Sequence, residues 1–131
     1  MNYIKMYLIA LLMFVLVDAV WLTVSRGLYQ KEIGHLLSTS FKLLPAVIFY
    51  LLFLVGLVYF VINPAINSGD IKTLIFSALL FGLVTYATYD LTNLATMKDW
   101  PVKITIIDLI WGSSLSTIIS LATYYIYNLF K

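Results

Sequence analysis

Leu74-Ile75-Phe76-Ser77-Ala78-Leu79-Leu80-Phe81-Gly82-Leu83-Val84 runs without a break into Thr85-Tyr86-Ala87-Thr88-Tyr89-Asp90-Leu91-Thr92-Asn93-Leu94-Ala95-Thr96. The first part reads as an ordinary membrane-spanning helix. The second part continues that helix and loads about three of its turns with a carboxylate, an amide, two phenols and four threonine hydroxyls. Such groups are costly in hydrocarbon unless they face protein, water or a ligand. The rest of the chain reads as scaffold around this segment.

Composition supports that reading. Of 131 residues, 63% are hydrophobic and 11% charged, with a mean hydropathy of +1.00. A soluble domain carries about a quarter charged residues, so this chain has too little polar surface to cover itself. The expected class is an all-α integral membrane protein, one domain over residues 1–131. A net charge of +2 without a basic cluster argues against nucleic acid as a partner. The absence of cysteine removes disulfide and thiol chemistry. With a single histidine it also removes zinc sites of the Cys/His type, and no cofactor is expected. Lys5 followed by an apolar run resembles a signal peptide. The run continues past Asp18 to Trp21 and offers no Ala-x-Ala site, so it is read as the first span.

Four spanning helices are expected, over about residues 3–25, 43–62, 71–97 and 102–129. Arg26-Gly27 suits the end of the first. Tyr29, Ile33, Leu36 and Leu37 fall at helical spacing opposite Gln30, Lys31 and Glu32. This predicts a short amphipathic interfacial helix between spans one and two, followed by a turn at Ser38-Thr39-Ser40. Pro45 suits the first turn of the second helix, and Asn63-Pro64 is expected to end it. Ser68 or Asp70 can cap the third helix. Asp99 can cap the fourth, with Pro101 in its first turn.

An even number of spans puts both termini on one side, with Lys5, Lys72 and Lys131. Arg26, Lys31, Lys42, Lys98 and Lys103 lie on the other. The positive-inside rule then places the termini outside a bacterial inner membrane, in a multi-pass protein. Asp18 and Asp90 each precede the end of their helix by about seven residues, and Asp108 follows the start of its helix by about six. At about 1.5 Å per residue all three sit roughly 10 Å inside the same face. Asp18-x-x-Trp21 and Asp108-x-x-Trp111 repeat one spacing, which puts carboxylate and indole on adjacent parts of a face.

On helix three, Tyr86, Asp90 and Asn93 share one face, and Thr85, Tyr89, Thr92 and Thr96 the next. On helix four, Thr105, Asp108, Gly112 and Ser116 line up. If these faces meet they enclose a polar pocket, with Arg26, His35 and Lys103 as the nearest positive or titratable groups. The plainer alternative is structural. Buried aspartates can simply accept hydrogen bonds from Trp, Tyr and Thr, and polar contacts between membrane helices are worth about 0.6–2 kcal/mol each. The threonines mean little alone, because a helical Thr can satisfy its hydroxyl on its own backbone. Trp21 and Trp111 serve packing as readily as ligand contact.

The chain resembles a bacterial membrane family defined as domain of unknown function 2177. The resemblance rests on Asp18-x-x-Trp21-Leu22, Tyr29 with Gly34, Pro45-Ala46, Phe49-Tyr50, Asn63-Pro64-Ala65, the Thr88–Thr96 block, Trp100-Pro101 and Asp108-x-x-Trp111-Gly112. It covers nearly the whole chain and implies a small polytopic membrane protein. It supports the choice of residues and supplies no reaction.

The leading expectation is binding or modification of a lipid-like substrate by proton transfer. A carboxyl group in a low-dielectric site can trade protons in the neutral range. Asp90, Asp18 and Asp108 are the expected catalytic groups. Asn93, Tyr86, Tyr89, Thr92, Trp21 and Trp111 are the expected substrate contacts. Membrane lipid is the expected partner, with a homodimer as the oligomeric option. One alternative is a proton-coupled transporter, the size of the small multidrug transporters though without their membrane glutamate. A divalent-metal site of three Asp with Asn93 is another, although no metal ligand is assigned. The last is a structural or assembly subunit, in which all three aspartates tolerate Asn.

Overall fold

The computed structural model describes residues 2–37 and 42–130. Four helical rods in it are long and apolar enough to cross a membrane: Tyr3–Leu36, Leu43–Ser68, Ile71–Thr96 and Val102–Leu129. The turn expected at Ser38-Thr39-Ser40 lies outside the described residues.

The first rod is longer than its sequence suggests. Asn2 caps helix α1 (Tyr3–Ile33) by accepting the Lys5 amide at 3.0 Å, and the helix passes straight through Arg26-Gly27. A mid-helix glycine costs only about 1 kcal/mol. Burial repays it here, since Ile33 is buried with Trp100 and Ile104 while Leu28, Tyr29 and Leu36 pack around them. The separate interfacial helix is therefore corrected. Gln30, Lys31, Glu32 and Ile33 form the last turn of α1, and a 3-10 turn follows over Gly34–Leu36.

The second rod corrects the expected stop at Asn63-Pro64. Helix α2 (Leu43–Leu57) passes through a π-helical turn at Val58–Ile62 into α3 (Asn63–Ser68). Proline lacks an N–H and its ring crowds the carbonyl four residues earlier. The wider turn shifts the pairing, so the Asn63 amide reaches back to the Val58 carbonyl and the chain stays helical. The rod ends instead at Gly69, with φ 71°, whose amide donates to the Ala65 carbonyl at 2.7 Å.

Asp70 caps α4 (Ile71–Thr96), accepting the Thr73 amide at 3.2 Å and the Thr73 hydroxyl at 2.6 Å. Helix α5 (Val102–Leu129) starts after Pro101 without a side-chain cap. Asp99, expected there, instead takes a left-handed turn at φ 68°.

The core lies toward the termini. Met6 and Ala10 of α1, Leu54 and Leu57 of α2, Leu74 and Ala78 of α4, and Leu115 and Ile119 of α5 are fully buried together. Helices α4 and α5 close on each other at Gly82 and Gly112. A Cβ at Gly82 would overlap the Gly112 carbonyl, and one at Gly112 would overlap the Tyr86 ring. In contrast, the first turns of α2 bury nothing before Phe53. Its N-terminal half stands off the bundle.

Candidate functional site

The gap under that half of α2 is a cavity of about 580 Å3. Spacing explains its walls. Met6, Ala10, Phe14 and Asp18 recur every four residues on the buried face of α1, so the stripe that begins apolar ends in a carboxyl group. Asp18 is only 8% exposed and lines the cavity. One turn on, Trp21 stacks on Trp111 of α5, with centroids 4.4 Å apart and planes 10° from parallel. The two Asp-x-x-Trp segments thus meet through their indoles. Asp108 lines the cavity from the α5 side and accepts a hydrogen bond from the Tyr29 hydroxyl. The Tyr29 ring also stands edge-on to Trp21 at 6.2 Å.

Helix α4 contributes Thr85, Tyr86 and Tyr89 to the wall. Gly112 leaves the room that Tyr86 occupies against α5. Tyr89 meets Trp100 edge-to-face at 5.9 Å, and Trp100 donates its indole N–H to the Thr105 hydroxyl at 3.1 Å. On the α2 side, Pro45, Ala46, Phe49 and Tyr50 complete the lining. Tyr50 packs on Phe14 at 4.8 Å, and Phe49 approaches Tyr86 at 6.4 Å. Aromatic side chains of this width hold α2 away from α1 and α4. Leu22, Phe49 and Tyr89 are lining residues that are also exposed, so the cavity opens sideways between helices.

Asp90 is placed differently. It is fully buried, neither carboxyl oxygen has a hydrogen-bond partner, and it is absent from the cavity lining. Its neighbour on α5 is Asp108, and no hydrogen bond joins the two carboxyl groups. Asn93 is half-buried beside the Tyr89 phenol and outside the lining. Thr92 is exposed and bonds the Thr88 carbonyl at 2.5 Å, as Thr88 and Thr96 bond Val84 and Thr92. The structure therefore brings Asp18, Asp108, Tyr86, Tyr89, Trp21 and Trp111 to one cavity. It sets Asp90 behind that cavity and Asn93 and Thr92 beside it.

Tyr29, Tyr50, Phe49 and Trp100 are wall residues that the sequence reading did not select. Tyr29 was hidden by ending the first helix at Arg26. Continued helix would have put Trp21, Ser25 and Tyr29 on one face at spacing of four. Among the described residues no three carboxyl or imidazole groups come together to hold a metal ion. Among the described residues no lysine, arginine or histidine lines the cavity. Lys103 instead pairs with Glu32 at 3.4 Å.

The family described as "Predicted membrane protein (DUF2177)" matches residues 3–125, and the chain belongs to it. No curated protein and no solved structure matches the chain.

Proposed function

Starting from membership of that family, we propose that the protein binds a lipid-like amphiphile in the cavity under α2 and exchanges a proton with it. One observation carries the reading. The cavity is walled by aromatic and aliphatic side chains, opens sideways beside Leu22 and Phe49, and ends at the carboxyl groups of Asp18 and Asp108. A pocket of several hundred Å3, mostly apolar with a few convergent polar groups, is the usual form of a small-molecule site. In a membrane its sideways mouth would face lipid, where an amphiphile's chain already resides.

The proposed roles follow from placement. Asp108 and Asp18 face the ligand's polar end. A proton leaving the ligand passes to Asp108, and the reverse step returns it. Asp90 stands behind Asp108, and a proton held between the two would give Asp90 the donor it otherwise lacks. Tyr29 orients Asp108 through its hydroxyl. Tyr86 and Tyr89 are the remaining hydroxyl donors on the wall.

Ala46→Trp, on the cavity wall, tests the reading. Native mass spectrometry of protein released from nanodiscs is expected to show amphiphile retained by the wild type and lost from the filled variant. Equal retention, or none in either, contradicts it.

A second reading, proton-coupled transport, has its own support. Ser116, Ser120 and Thr123 follow Asp108 along one broad face of α5, and their fully buried hydroxyls have no hydrogen-bond partner. They lead from the carboxyl pair toward the terminal end. That reading predicts solute flux into vesicles driven by a pH gradient and abolished by Asp90→Asn.

A further inference from the structure

We infer that the ligand's polar end is a cation, an alkylammonium group on a single apolar chain. The inference rests on the lipid-pocket reading above and narrows it to a substrate class. Three features of the cavity converge on positive charge.

The first is an uncompensated acid. Asp18 is 8% exposed and faces the cavity, and the one ion pair among the described residues, Lys103–Glu32, lies elsewhere. A buried carboxylate without a counter-charge is costly. Asp108 adds a second carboxyl to the same wall, with a tyrosine hydroxyl as its donor rather than a cation. An ammonium group entering the cavity supplies the charge that no lysine or arginine among the described wall residues supplies.

The second is the wall itself. Trp21, Trp111, Trp100, Tyr29, Tyr86 and Tyr89 all line the cavity, so an ammonium group within it is surrounded by aromatic rings. Ring faces carry the negative part of the aromatic quadrupole and attract ammonium groups, most strongly when water is excluded. Aromatic rings are the usual surroundings of alkylated ammonium ligands.

The third is exclusion. A phosphate, sulfate or carboxylate head would meet two carboxyl groups and, among the described residues of the wall, no cation. An uncharged sugar or hydroxyl head would leave Asp18 without a counter-charge. The cavity volume of about 580 Å3 is in the range of one drug-sized ligand, which favours a single chain.

The chain reports on this site without a label, because all three of its tryptophans line the cavity. The experiment titrates full-length protein in maltoside micelles with three probes of equal chain length: hexyltrimethylammonium, hexyl sulfate and hexyl glucoside. Tryptophan fluorescence is expected to saturate with the cation at a concentration about tenfold or more below either competitor, a difference well outside titration error. The preference should persist in high salt, since the charges are buried. It should vanish in Asp18→Asn/Asp108→Asn while weak binding of all three probes remains.

Repeating the titration with added sphingosine, a single-chain amino lipid, separates two sources of the same chemistry. A weakened cation signal supports a membrane lipid as the source, and an unchanged signal supports a free amine. Equal binding of the three probes by the wild type overturns the cation inference and leaves the lipid pocket standing. Binding of none overturns both. Retention of the preference in the double Asn variant overturns the role of the carboxyls. If that variant does not fold, the wild-type ranking of the probes still decides the matter.

Discussion

The same four rods close at one end of the bundle and part at the other. Toward the termini, Leu74, Ala78, Leu115 and Ile119 are fully buried against Met6, Ala10, Leu54 and Leu57. Toward the α1–α2 and α4–α5 connections, Phe49, Tyr50, Tyr86, Trp21 and Trp111 surround open space. Side-chain width sets the difference. Small residues let α4 and α5 meet backbone to backbone at Gly82 and Gly112. Wide rings farther along prop α2 outward. The carboxyl groups sit where the helices part, so the polar chemistry lies at the loose end and the stability at the tight one.

The largest effect is expected where the backbones touch. Gly82→Leu would drive a side chain into the Gly112 carbonyl, and no flexible neighbour can yield. The loss should exceed about 4 kcal/mol, read as failure to recover monodisperse protein. A stable Gly82→Leu protein would break the comparison at its tight end.

Next come paired truncations. Leu115→Ala should cost about 2–5 kcal/mol, because it opens a void in a filled core. Trp21→Ala removes more atoms yet should cost only about 1–2 kcal/mol. Its ring is half-buried beside space already open, and it loses mainly the Trp111 stacking, worth about 0.5–1.5 kcal/mol. Thermal melts in maltoside micelles give the ranking, and equal losses would mean the two ends are packed alike.

Tyr29→Phe is expected to cost about 1 kcal/mol by removing the hydroxyl donor to Asp108. The same melts read that loss, while cation affinity should move more than stability does.

The smallest effect is at the α3–α4 turn. The Thr73 hydroxyl and amide hold the exposed Asp70 carboxyl below its ordinary range. A carboxyl lowered by folding stabilises the protein above its unfolded pKa, and that contribution fades as the pH falls through the folded value. Asp70→Asn should therefore melt slightly lower than wild type at neutral pH, with the gap closing in acid. A gap that stays constant in acid would remove the charge from the account.

Much of this could be read from the residues. Four apolar runs give the four rods, and the repeated Asp-x-x-Trp spacing marks the two helices whose indoles stack. Features that depend on partners far along the chain could not be read. Helix α1 continues past Gly27 because Ile33 finds Trp100 and Ile104, about seventy residues away. The second rod survives Pro64 because a π turn absorbs it, and no local pattern announces that turn. Asp90 shares a depth with Asp18 and Asp108, but depth does not fix angle. Its short side chain stops beside Asp108 rather than reaching the open space.

The most direct test compares two sites on one helix in this cysteine-free chain. Thr85 lines the cavity, and Ala78, two turns earlier on α4, is fully buried in the core. Single-cysteine variants at these positions would be exposed to a small maleimide in nanodiscs. The account predicts rapid labelling at 85, slowed by hexyltrimethylammonium, and none at 78. Equal protection at both positions, or equal labelling, would contradict it.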